Sequence, residues 1–112
     1  GDYWKKLQMV LSRFSMQPDP SWATAWFTRD QIGVWNWERF DSEEFDKLNA
    51  EGMVELDPAK RDVIYKKLQD LMEESGCYVF LTHEVTGIMY RDSVNAALKP
   101  NGEPVFTDFK PV

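Results

Sequence analysis

Histidine and cysteine are almost missing: the 112 residues contain one of each. A single cysteine excludes an intrachain disulfide. One histidine with scattered carboxylates gives none of the ligand spacings of a metal site, which needs about three or four convergent groups. His83-Glu84 is the one place where an acid/base or metal reading could start, and nothing else converges on it. Absent too are a glycine-rich phosphate loop, a nucleophile elbow and a Cys/His pair. These shortages point away from an enzyme and imply no cofactor or metal. Positive charge is also scarce. Thirteen Lys and Arg stand against 19 Asp and Glu, a formal charge of -6. With no basic stripe, nucleic acid and anionic membrane are poor partners. No run approaches the roughly 20 apolar residues that span a bilayer, and no signal peptide opens the chain.

Aromatic side chains are abundant: five Trp, seven Phe and four Tyr. Rings bury large areas, so they build an aromatic core or line a binding surface. With 43% hydrophobic and 29% charged residues, the composition is that of a globular chain. Its length suits a single domain, residues 1–112.

Residues 7–14, mostly apolar and free of Gly and Pro, read as a strand. Asp19-Pro20 starts a short helix over 20–28, with Asp19 as N-cap and Pro20 in the first turn. Trp22 and Trp26 fall on one face of that helix, as core or packing residues. A loop over 32–40 carries Trp35, Trp37 and Phe40; ligand stacking and plain packing would each account for the two tryptophans. Asp41-Ser-Glu-Glu44 has the form of a capping box and opens a helix over 42–55. Gly52, costly inside a helix, marks a close helix contact there. Asp57-Pro58 opens a third helix over 58–75, with Ile64, Leu68, Leu71 and Met72 in one apolar stripe. Gly76 stops it. Cys77 then heads an apolar run, 77–83, read as a strand covered on both faces, so Cys77 is expected to be buried. A second extended run covers 85–90. Residues 95–112 are rich in Pro and Gly and read as irregular, with a strand near 105–109. Arg13 closes an apolar strand. It either points its donor fork into a cleft to bind an anion or makes a surface ion pair.

The order of Pro18-Asp19-Pro20, an aromatic-rich helix, Asn36-Trp37, Glu44-Phe45-Asp46, Asp57 to Arg61 and Tyr65 resembles the C-terminal part of an extracellular solute-binding protein. The matching group is the dipeptide/oligopeptide-binding class (family five) that serves ABC importers. The resemblance covers nearly the whole chain. It implies an α/β fold, part of the C-terminal lobe of a two-lobed periplasmic-binding-protein fold, with three helices packed on a small mixed sheet. It implies a non-enzymatic receptor, periplasmic or extracellular, that closes over a small solute and delivers it to the transmembrane subunits of an ABC permease. On this reading the missing signal peptide fits a fragment that begins inside a longer chain, and unpaired strand edges invite non-physiological self-association.

The resemblance places Arg13, Phe14, Ser15 and Met16 along the ligand cleft, with Asn36 and Trp37 nearby. Peptide-binding members often carry an acidic residue at the position of Met16, where it pairs with the peptide's amino group. Its absence leaves room for an opine, a sugar or a similar solute beside peptides. The alternative function is a stand-alone interaction module that docks a partner protein on its aromatic surface.

Overall fold

A computed structural model describes residues 2–14, 17–82 and 87–112. They form two compact units, 1–80 and 81–112. The first carries three helices: α1 (Ser21–Thr24), α2 (Glu43–Val54) and α3 (Pro58–Glu74). The second carries an antiparallel pair, β1 (Val94–Asn95) and β2 (Lys110–Pro111). The chain is thus mixed α and β.

The α2 and α3 pair organises the first unit. Ser42 caps α2 by accepting from the Phe45 amide, and Asp57 caps α3 by accepting from the Ala59 and Lys60 amides. Pro58 sits where its missing N–H costs nothing. Gly76, at φ +67, closes the turn after α3. Between the helices Gly52 is buried. A methyl group there would come within 3.1 Å of the Tyr65 ring and 3.2 Å of Ile64. The helices can pack this closely because position 52 has no side chain. Their shared core is Phe45, Ile64, Tyr65, Leu68 and Met72, joined from the preceding loops by Phe27 and Phe40. Leu71 is only partly buried at its edge.

The Pro-Asp-Pro helix is shorter than its pattern suggests. The α-helical turn of α1 passes into 3-10 geometry at Ala25–Phe27, and a second 3-10 turn follows at Arg29–Gln31. Two turns of 3-10 let the chain reverse and lay Phe27 into the core while Trp22 and Trp26 stay on one side.

The strand expectations over 7–14 and 77–83 require correction. Among the described residues of these stretches there is no strand; 2–6 form a 3-10 turn and the rest is irregular. The same holds for the described part of 85–90. A strand needs a hydrogen-bonding neighbour, and no described segment supplies one to these runs. Hence the three helices do not pack on a mixed sheet: the paired strands belong to the second unit, and the core of the first is helices and loops. Cys77 is exposed, not buried, because the run it heads is uncovered. Instead of a strand over 105–109, the second unit has a 3-10 turn at Phe106–Asp108 before β2. A tight reversal at 99–102, with Gly102 at φ +83 and a Lys99–Glu103 ion pair, brings Leu98 beside Pro104.

Candidate functional site

The motif residues that suggested a receptor are, in this structure, the residues that hold the loops to the helices. Asp19 receives the Ser21 amide and, at 2.9 Å, an Nη of Arg61. The same guanidinium donates to the Gly52 carbonyl at 2.9 Å and lies over the Tyr65 ring at 5.0 Å. Pro18-Asp19-Pro20 is thereby clamped to both long helices. The Arg61 hydrogen bond, with those from Ser21, holds the Asp19 carboxyl well below the usual carboxylate range. Arg29 forms a second clamp: its Nε reaches Asp46 at 2.7 Å and its amide reaches the same carboxylate at 3.1 Å. Thr24, at the end of α1, donates to Asn49 of α2 at 2.6 Å within the core.

Of the candidate ligand contacts, Ser15 and Met16 lie outside the described residues, as does His83-Glu84. Arg13 is exposed. Phe14 sets its ring edge-on against Phe27 at 5.7 Å, so one side of it is anchored on the core.

Asn36 is fully buried and enclosed by its own chain. Its amide nitrogen donates to the carbonyls of Phe27, Thr28 and Phe40, and its oxygen accepts from the Phe40 amide. Such a saturated amide offers no face to a ligand; it fixes the loop that carries Trp35 and Trp37. Trp37 donates its indole N–H to the Val34 carbonyl at 2.7 Å and is half-buried.

The tryptophans that the sequence divides between helix and loop form one continuous row. Trp22 and Trp26 have ring centroids 6.2 Å apart, Trp26 and Trp35 5.1 Å, Trp35 and Trp37 6.3 Å. Trp22 is 49% exposed and Trp35 43%. The spacing of Trp22 and Trp26 foretold their shared face; their junction with the loop pair depends on the reversal at 25–31, which no sequence signal marked. The fifth, Trp4, packs flat against Gly33, where a methyl group would meet its ring at 2.6 Å.

Beside the row runs a groove of ≈ 330 Å³ lined by Ser21, Trp22, Ala25, Trp26, Gln31 and Met53. It contains no catalytic constellation, and among the described residues there is no cluster of three potential metal ligands. No helix of the described residues is long and apolar enough to cross a membrane. On the far side of the core, Glu38 Oε2 and the Tyr78 hydroxyl are buried without a hydrogen-bond partner. Burial, and then the Glu38 charge, push the Tyr78 hydroxyl well above its ordinary pKa.

Compared with known proteins, the chain matches no family model, no curated protein and no solved structure.

Proposed function

We propose that this chain is part of the solute-binding component of an ABC importer, a piece of the C-terminal lobe of a two-lobed receptor. One observation carries the proposal. The runs expected to be strands hold apolar side chains in solvent: Met9 is 89% exposed, Leu11 84%, Val79 79%, Phe80 64% and Leu81 70%. Large apolar side chains clustered in water mark a surface that something covers. In the two-lobed receptor the covering element is the remainder of a sheet. The ordered motif residues support the same reading, since each has a structural task that a C-terminal lobe requires: a clamped Pro-Asp-Pro turn, a capped helix pair, a fixed Asn-Trp loop.

Ligand capture then works by closure. Two lobes bury a solute, and a few polar groups fix its orientation. Arg13, Phe14, Ser15, Met16 and Trp37 form one wall, and Asn36 acts by holding Trp37 in place. Arg13 beside an uncharged Met16 favours a solute with an anionic or strongly polar acceptor group. The alternative, a stand-alone interaction module, draws on the half-exposed Trp22 and Trp35. Hydrogen exchange separates the two. In a longer protein that includes the upstream reading frame, amides 7–14 and 77–82 become protected as sheet, whereas in the 112-residue chain they exchange freely. Equal, fast exchange in both rules out the receptor reading. A thermal-shift screen of the longer protein then identifies the solute.

A further inference from the structure

We propose that the groove between Trp22, Trp26 and Met53 binds the alkylated ammonium group of an organic cation. Trp22 and Trp26 meet at an interplanar angle of 55°, and Trp35 backs Trp26 at 71°. Rings set at such angles form a corner with more than one face turned inward, not a flat platform. A cation held over indole faces is attracted by the ring quadrupole, and alkylated ammonium groups combine that charge with an apolar surface. Met53, 60% exposed, supplies the opposite wall. A volume of ≈ 330 Å³ admits such a headgroup with room for its substituent.

The charge pattern selects the sign. No Lys or Arg lines the groove. Met53 also borders a neighbouring groove that holds Asp19, Glu55 and Asp62 against Arg61 and Lys66. Arg61 is paired with Asp19 and Lys66 with Asp62; three acids less two bases leaves one negative charge, on Glu55, beside the apolar groove. An anion finds no counter-charge there. A sugar needs donors and acceptors in a polar rim; of the two polar lining side chains, Gln31 already donates to Asp30 at 3.1 Å.

All six lining residues belong to the first unit, so the site is complete without a second lobe and stands apart from the receptor reading. The test therefore uses the 112-residue chain, titrated with choline and with 3,3-dimethylbutan-1-ol, its uncharged isostere, and followed by the indole N–H signals in NMR. Choline is expected to shift Trp22 and Trp26 and to leave Trp37, whose N–H is held by Val34, in place. The neutral isostere is expected to bind about tenfold more weakly, as is choline to Trp22→Ala and to Met53→Lys, while Met53→Leu retains binding. Met53 is an exposed position on α2, and far-UV circular dichroism verifies that each variant is folded. Equal affinity for the two probes, no response to choline, or binding unchanged in both Trp22→Ala and Met53→Lys overturns the proposal, and none of these touches the two-lobe mechanism.

Discussion

Single polar side chains, more than hydrophobic ones, decide how the irregular half of the first unit is held. Asn36 shows this most clearly, because its amide joins Phe27, Thr28 and Phe40 across a reversal that has no strand or helix to order it. Truncating it strands buried carbonyls and the Phe40 amide, and unsatisfied buried groups cost about 1–3 kcal/mol each. Asn36→Ala is therefore expected to lose at least about 2 kcal/mol in urea unfolding and to alter the fluorescence of Trp35 and Trp37. An unchanged midpoint would show that the amide is incidental to the loop. Asp19 gives a second test, through pH. Its folded pKa lies below the unfolded value, so its contribution is fully present above about pH 4, the ordinary carboxylate pKa, and is lost as pH falls through the folded value. In Asp19→Asn that part of the acid-dependent loss should disappear. If the stability of wild type and Asp19→Asn falls in parallel between pH 5 and pH 2, the clamp to Arg61 does not contribute in solution.

At the scale of elements, helices were legible and strands were not, for a physical reason. A helix satisfies its backbone from within its own segment, so caps and periodicity suffice to announce it. Asp41 to Glu44 and Asp57-Pro58 did so for α2 and α3 within a residue or two, and Gly52 correctly marked their close approach. A strand is satisfied only by a partner, and apolar runs such as Cys77 to Leu81 cannot report whether that partner lies in the chain. The candidate site split the same way. The Trp22 and Trp26 face followed from spacing, but the four-ring row depends on the 3-10 reversal at 25–31. The burial of Asn36 was missed because a loop Asn beside a Trp looks the same whether it faces ligand or carbonyls.

The apolar stripe of α3 makes this testable: Leu68 is fully buried whereas Leu71 sits at the edge. Leu68→Ala should cost about 2–5 kcal/mol through lost transfer energy and a cavity, and Leu71→Ala measurably less. Equal losses in chemical denaturation would mean that α3 is rotated relative to this packing.

For the whole molecule the decisive quantity is how much of the ligand site one chain supplies. The first unit presents Arg13, Phe14 and Trp37 on one wall, and burial of a solute requires an opposite wall. Exposed Arg13 contributes little until closure excludes water; in the closed state, removing an arginine from a buried charged hydrogen bond costs about 2–5 kcal/mol. Calorimetry on the longer protein and on the 112-residue chain, each as wild type and Arg13→Ala, reads both effects with the solute found by thermal shift. The longer protein should bind tightly and lose at least about thirtyfold with Arg13→Ala, and the 112-residue chain should bind that solute weakly or not at all. Tight binding by the short chain alone would refute capture between lobes. Binding by the longer protein that ignores Arg13 would remove the anion from the ligand's description and leave closure itself intact, since closure depends on the second wall and not on the charge of the first.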